Sequence, residues 1–418
     1  MCTRQLFQTI LSIVTFQLLS ISVIAQDVYV SGHELSGTNF AAKLWKNGSP
    51  EPPLTDGTYE AVAYSVTVNN GNVYAVGFES NGSHYNAKLW KNDTVVDLTD
   101  GIQESSAHSV VVDNGDVYVS GFEFDGDHYV VKLWKNGMSQ DITDGTTDQL
   151  GTGLFVDNGD VYVTGYELID SEHKIVKVWK NGVVEETLTD GTVNANAQSI
   201  FVDNGDIYVA GQEGNRAKLW KNGTDQNLAI DTTKLSSALS VFVDDNGDVY
   251  VAGQENNSNS KYIAKLWKNG TPQDLSDGTT NSFAYSVVVF NDDVYVAGFA
   301  YTSTGLATAK LWKNGTVEDL TDGSTFAFAY SIFVDTESLG TPDFATSQNT
   351  FTAYPNPVSD ILNIEVEVPT TFRLYDIQGK FIKNIEAEKN TTVDMKGLSD
   401  GIYFLENPNK ISKKIIKN

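Results

Sequence analysis

Histidine and carboxylate recur in this 418-residue chain at spacings regular enough to suggest a site. His84, His128 and His173 each stand six residues ahead of a tryptophan, namely Trp90, Trp134 and Trp179. A glutamate closes the same local sequence as Glu34, Glu79, Glu123, Glu167, Glu213 and Glu255, with Ala300 in the corresponding place of a further copy. Equivalent histidines could bind a metal, and paired carboxylates could cleave a glycosidic bond. Neighbouring packed sheets lie about 10 Å apart, whereas zinc–nitrogen bonds are about 2.0–2.1 Å, so these histidines are not expected to share one ion. A glycosidase needs two carboxylates about 5–10 Å apart, and nothing distinguishes one glutamate from the next. Asp-Asn-Gly-Asp at Asp113 to Asp116 superficially suggests calcium. It lacks the Asp-x-Asp-x-Asp-Gly…Glu ligand spacing and reads as a hairpin turn.

A third set varies where its surroundings repeat. Tyr64, His108, Thr152, Gln198, Leu239, Tyr285 and Tyr330 occupy one repeat position, with Phe283, Phe326 and Phe328 expected in adjoining loops. Aromatic rings beside hydroxyl and amide groups suit a sugar or an extended peptide; ordinary packing between strands would use the same residues. The candidate ligand-binding residues are Tyr64, His108, Gln198, Tyr285 and Tyr330, together with Glu79 and Glu123 as members of a carboxylate ring. No metal and no cofactor is expected.

The elements that must position these residues are set by an internal repeat. All seven tryptophans (Trp45, Trp90, Trp134, Trp179, Trp220, Trp267, Trp312) fall in AKLWKNG-like segments, at spacings of 45, 44, 45, 41, 47 and 45 residues. From about Ser240, SVFVD turns at Asn246-Gly247 into DVYVAG, and a second Asn-Gly at Asn269-Gly270 follows AKLWK. Alternating β-branched and aromatic residues across Asn-Gly predict two hairpins, hence four strands per repeat. A lone four-stranded sheet cannot bury both faces, but a ring of them can. The fold class is therefore all-β, a seven-bladed β-propeller over residues 26–335. A tryptophan demanded by every copy is a spacer between blades, and the lysine two residues before it is expected to reach water.

The repeat begins out of phase. The chain enters at DVYVSG (Asp27 to Gly32), and the SVFVD-like partner appears only after the last tryptophan, as Ser331 to Asp335. The first blade is thus predicted to be composite, closed by the end of the propeller. Chain direction puts the Asn-Gly turns on one face of the disc and both kinds of variable loop on the other. Binding residues concentrate on such loops.

A formal net charge of −26 argues against nucleic acid or an anionic membrane surface as partner. The single cysteine, Cys2, lies within residues 1–25, which read as a secretory signal: Arg4, then an apolar run from Ile10 to Ile24, then Ala25. Residues 336–350 shift to Thr, Ser, Gly, Pro and Gln, the composition of a linker.

Residues 351–418 differ again. Tyr354-Pro355-Asn356-Pro357-Val358-Ser359-Asp360 is followed by Leu374-Tyr375-Asp376-Ile377-Gln378-Gly379-Lys380. Then come Leu398-Ser399-Asp400-Gly401-Ile402-Tyr403-Phe404 and Lys413-Lys414-Ile415-Ile416-Lys417. In this order the blocks resemble the type A C-terminal sorting domain of the Bacteroidota type IX secretion system. The resemblance implies a small C-terminal β-sandwich read by that machinery and commonly removed afterwards. Its motif residues here are Tyr354, Pro355, Asn356, Pro357, Gly379, Gly401, Tyr403 and Lys414.

The expected function is a secreted or cell-surface binding protein, monomeric, recognising an extracellular glycan or protein through the variable loops. The alternatives are an extracellular polysaccharide hydrolase or lyase, and a structural adhesion or matrix component. Sialidase-like chemistry would need an arginine cluster, and the repeat region holds only Arg216.

Overall fold

The computed structural model describes residues 26–92, 94–226, 228, 231, 233–335, 351–366, 369–376, 380–406 and 412–418. The expected signal segment, the expected linker and Gly379 lie outside the described residues. The chain divides into two compact units between residues 337 and 338.

The first unit holds seven four-stranded antiparallel sheets among the described residues. Sheet 1 is composite: Ala327–Asp335 pairs with Asp27–Ser36, which is followed by Asn39–Lys46 and the short Ser49–Pro50. Sheets 2 to 7 take their strands in chain order and begin at Ala61–Asn69, Ser105–Asp113, Gln149–Asp157, Ala195–Asp203, Ser236–Val243 and Ser282–Phe290. The first strands touch one another in sequence from sheet 1 to sheet 7, and that of sheet 7 touches Ala327–Asp335 again, so the cycle is closed.

Local chemistry explains the sheets. The hairpin asparagines hold positive φ, such as Asn114 at 49° before Gly115 at 85°, the backbone of a tight turn whose twist matches its strands. Every tryptophan is at most 3% exposed. Trp134, for example, packs with Val76, Ala87 and Leu89 of the preceding sheet, so the repeat's largest side chain fills each gap between sheets.

The lysine that follows each tryptophan lies over the tyrosine of the Val-Tyr-Val strand. Seven such pairs, from Lys46 over Tyr29 to Lys313 over Tyr295, have the ammonium 4.8–5.1 Å from the ring centre.

The second unit has a three-stranded sheet (Phe351–Tyr354, Ile361–Val366, Asn390–Asp394) and a four-stranded one (Phe381–Ala387, Thr370–Asp376, Gly401–Glu406, Ser412–Lys417). Both contribute to one core that includes Phe351, Leu362, Ile364, Phe372, Leu374, Leu405 and Ile415.

Candidate functional site

The varying residues sit where each first strand is broken by a β-bulge. In sheet 2 the pairing passes from Ala63 to Ser65 and skips Tyr64; His108, Thr152, Gln198, Leu239, Tyr285 and Tyr330 are skipped in the same way in the other six sheets. An unpaired residue on a bulge is re-aimed out of the sheet. All seven then line one central channel of about 120 Å³. These residues therefore lie inside the first strands, not ahead of them. Phe283 and Phe328 are likewise strand residues, and the expectation of loops was wrong because the bulge lets pairing continue past the break in alternation.

The bulge also explains the glycine that ends each Val-Tyr-Val segment. A Cβ on Gly32, Gly77, Gly121, Gly165, Gly211, Gly253 or Gly298 would come within 1.8–2.1 Å of a backbone oxygen of the bulged strand. Only glycine permits that approach. The serine after the bulge ties the ring together: Ser65, Ser199, Ser240, Ser286 and Ser331 each accept, at 3.2–3.4 Å, the N–H of a residue in the next sheet. Sheet 4 has Gly153 there instead, beside Thr152, whose hydroxyl donates to Ala197 O at 3.0 Å.

Four bulge residues form a continuous aromatic arc across sheets 7, 1, 2 and 3. Tyr285 meets Tyr330 edge-on at 4.9 Å, Tyr330 meets Tyr64 at 5.6 Å, and Tyr64 stacks on His108 at 4.8 Å. The arc widens through Phe299, Phe78 and Phe122, which contact these rings at 5.4–5.9 Å, and through Phe328, which meets Phe299 at 4.7 Å. Sheets 4 to 6 supply Thr152, Gln198 and Leu239 instead.

The channel lining is uncharged. Burial holds the His108 imidazole neutral, with a pKa lowered to about 4. It raises the Tyr64 phenol to about 12 and shifts Tyr285 and Tyr330 upward, with Glu60 adding to the effect on Tyr64. No intramolecular hydrogen bond engages the side-chain polar atoms of Tyr64, His108, Gln198, Tyr285 or Tyr330 among the described residues. Five polar groups thus converge on one space with their hydrogen-bonding capacity free.

Glu79 and Glu123 lie elsewhere. Each sits near the end of a second strand and faces a third-strand lysine: Lys88 Nζ is 3.7 Å from Glu79, and Lys132 Nζ is 3.1 Å from Glu123. The same lysines pair with outer-strand aspartates, Lys88 with Asp97 and Lys132 with Asp141 at 2.6 Å. Glu213–Lys218–Asp225 and Glu255–Lys265–Asp274 repeat the arrangement. The expectation that these lysines reach bulk water is corrected: their ammoniums are held between two carboxylates, side chains only 9–17% exposed. The Glu ring is likewise a set of ion pairs rather than a free carboxylate surface. The constant spacing of nine residues in Glu79–Lys88–Asp97 and Glu123–Lys132–Asp141 was the sequence signal for it.

The two kinds of variable loop adjoin. Asn81 Nδ2 donates to Gly101 O at 2.8 Å, and Asn257 Nδ2 to Gly278 O at 2.9 Å, each joining a loop after a second strand to one after an outer strand. His84 and His128 belong to these loops, each near a carboxylate (Glu104 at 3.2 Å, Asp148 at 3.5 Å), while His173 contacts Asp170 at 3.0 Å. They are separate pairs. No group of three metal-ligating side chains is present among the described residues.

In the second unit, Asn356 clasps the last strand: its Nδ2 donates to Lys414 O and its Oδ1 accepts from Ile416 N, both at 2.7 Å. Tyr354 Oη donates to Glu365 at 2.7 Å, and Tyr403 Oη to Ser399 O at 2.8 Å. Pro355 and Pro357 are exposed between these contacts, and Gly401 starts a strand.

Residues 352–418 match the family model of the secretion system C-terminal sorting domain. The chain thus ends in the sorting domain of the type IX secretion system and is exported, to the cell surface or beyond it. No curated protein matches the chain. In fold, it is similar to the solved structure of a puromycin-hydrolysing peptidase of Mycobacterium tuberculosis, at 10% identity and a TM-score of 0.50, over 80% of this chain and 57% of that one. A puromycin hydrolase aligns at 11% identity and a TM-score of 0.50, over 86% of this chain and 56% of the other. This chain spans little more than half the length of either. The WD40 β-propeller domain of Doa1 aligns at 15% identity and a TM-score of 0.40, over 64% of this chain and 93% of that domain.

Proposed function

We propose that the exported protein is a binding module: a seven-bladed β-propeller with a composite first blade, followed by a C-terminal β-sandwich that serves only as the address. In this reading, residues 1–25 are the signal peptide, 26–335 the propeller, 336–350 the linker and 351–418 the sorting domain. The propeller acts as a monomer and recognises an extracellular glycan or protein through its variable loop face. The closed cycle of first-strand contacts supports the propeller, and the core shared by two sheets supports the sandwich.

The observation that carries the binding role is the asymmetric channel mouth. Everything that recurs in the repeat is engaged in structure: tryptophans between sheets, lysines between carboxylates, serines on neighbouring backbones. Tyr64, His108, Gln198, Tyr285 and Tyr330 instead keep free polar atoms, and four of them form one aromatic arc. Tyr64, His108, Tyr285 and Tyr330 are half-buried and Gln198 is exposed, so polar atoms not engaged within the protein face the open channel and are accessible to an external partner. Glu79 and Glu123 contribute by holding the rim rigid through their lysines.

The test is binding of the mature protein to glycan and peptide arrays, repeated with Tyr285→Ala and Tyr330→Ala. Each variant should lose the wild-type signal with its circular dichroism unchanged. Signals that survive both substitutions would place binding elsewhere or remove it as the function.

A further inference from the structure

The variable loops divide by charge as well as by ring content. The basic residues in these loops, Lys234 and Lys261, and those that open a third strand beside them, Lys174 and Arg216, all belong to sheets 4 to 6. Beside the aromatic arc the loops carry no lysine or arginine, and they include Glu60 and Glu104.

Sheet 2 concentrates this contrast. Tyr59 and Tyr85 are 46% and 42% exposed, the most exposed tyrosine, phenylalanine or tryptophan side chains among the described residues of the first unit. The ring of Tyr59 reaches over the loop at Gly82, where an added Cβ would lie 3.0 Å from it. The Tyr85 ring contacts Phe78 at 4.3 Å, Phe78 contacts Tyr64 at 5.9 Å, and Tyr64 reaches the channel. A ladder of rings therefore runs from solvent to the bore. Glu60 stands between Tyr59 and the first strand, near enough to the Tyr85 and Tyr64 phenols to raise both pKa values. Glu104 is occupied: it accepts from Tyr85 N at 2.9 Å and lies 3.2 Å from His84 Nδ1. Glu60 has no basic partner among the described residues.

Exposed π-faces beside a carboxylate without a counter-ion match a cation on a flexible stem. An ammonium or guanidinium over a tyrosine face gains roughly 0.5–1 kcal/mol at an exposed site, and a nearby carboxylate adds an ion pair. A net charge of −26 would steer a positively charged partner toward this protein and repel an anionic polysaccharide. A neutral sugar could use the rings but would gain nothing from the charge.

We propose that the Tyr59–Glu60–Tyr85 corner, at the outer end of the aromatic ladder, holds the lysine or arginine head group of a basic polypeptide segment. This rests on the reading of the variable face as the binding surface and narrows it to one class of partner. The carboxylate of Glu60 pairs with the cation, and the tyrosine faces cover its stem.

The experiment measures binding of fluorescently labelled hexalysine to the full exported chain. Parallel arms use acetylated hexalysine and a set of neutral oligosaccharides. Hexalysine should bind, acetylated hexalysine should not, and added salt should weaken the complex. Glu60→Gln should weaken binding about three- to five-fold, the scale of one exposed ion pair. Tyr85→Ala should weaken it about two- to five-fold. Asp245→Asn removes the same charge from the opposite face and should leave binding unchanged. Equal effects of Glu60→Gln and Asp245→Asn, or no hexalysine binding, would overturn the proposal. A neutral oligosaccharide bound in a Tyr330-dependent way without hexalysine binding would overturn it while sparing the binding-face reading. Insensitivity of every probe to both Tyr85→Ala and Tyr330→Ala would overturn both.

Discussion

Acid should loosen this ring at His33. The residue lies on Asp27–Ser36 opposite Phe328, in the strand pair that closes the cycle. Its ring is 6% exposed and packed against Phe40 at 4.5 Å, Phe328 at 4.8 Å and Tyr330 at 5.4 Å, and its Nδ1 has no partner. The neighbouring Glu34 carboxylate is directed to Lys43 and Thr325 instead. Burial lowers the imidazole pKa from 6.5 to about 4. A histidine that is harder to protonate folded than unfolded costs no stability above pH 6.5. Stability is lost as pH falls from 6.5 toward 4, and the loss is complete below that. With one pKa unit worth about 1.4 kcal/mol, the loss at pH 5 is about 2 kcal/mol. His33→Leu removes the titration at similar volume and should stay within about 1.5 kcal/mol of wild type at pH 7.5. Urea unfolding followed by tryptophan fluorescence at pH 7.5 and 5.0 compares the two proteins. Wild type should lose about 2 kcal/mol more than the variant between these pH values. Parallel losses would refute the assignment of a buried neutral imidazole to the closing strands.

Two further substitutions probe the bulge. Gly253→Ala would put a Cβ 2.0 Å from Ser237 O and 3.1 Å from Ala238 Cα, so urea unfolding should show a loss of about 3 kcal/mol or more, the upper range for overpacking; a loss under about 1 kcal/mol would mean that the bulge relaxes freely. Ser286→Ala leaves the Ile332 N–H, 3.3 Å from the hydroxyl, without its acceptor, and should destabilise by about 1 kcal/mol in the same assay.

Much of the fold was legible because the repeat exposes its own logic. Seven tryptophans at near-constant spacing and paired Asn-Gly turns specify sheets of four strands, and the displaced Ser331 to Asp335 segment specifies where the chain must return. The bulge was not legible as such. Tyr64 and Ser65 break the alternation of a strand, and without coordinates that break looks like a strand beginning one residue late. The ion-pair clamp was missed for a different reason: Glu79, Lys88 and Asp97 lie on three strands, and only lateral pairing brings them together. The repeat position named seven residues that come together around one channel. That Tyr285, Tyr330, Tyr64 and His108 are spatial neighbours emerges only once Ala327–Asp335 lies beside Asp27–Ser36 and closes the cycle of sheets. The sorting tail was readable as ordered motifs, although its Asn356 clasp on the final strand depends on a contact across 58 and 60 residues.

Closure by Ala327–Asp335 underlies all of this, since it brings sheets 7, 1 and 2 together and so assembles the arc. By the logarithmic chain-entropy rule, joining ends about 300 residues apart costs on the order of 5 kcal/mol. Burial of Ile332 and Val334, 6% and 4% exposed, with partly buried Phe333, returns roughly 1.5–3 kcal/mol each as an upper estimate. The decisive measurement is thermal unfolding of a chain lacking Ser331–Asp335, with amide exchange followed along Asp27–Ser36. A lower melting temperature with rapid exchange from Tyr29 to Gly32 is the predicted result. An unchanged melting temperature with protected amides there would contradict the closed ring and the binding surface built on it.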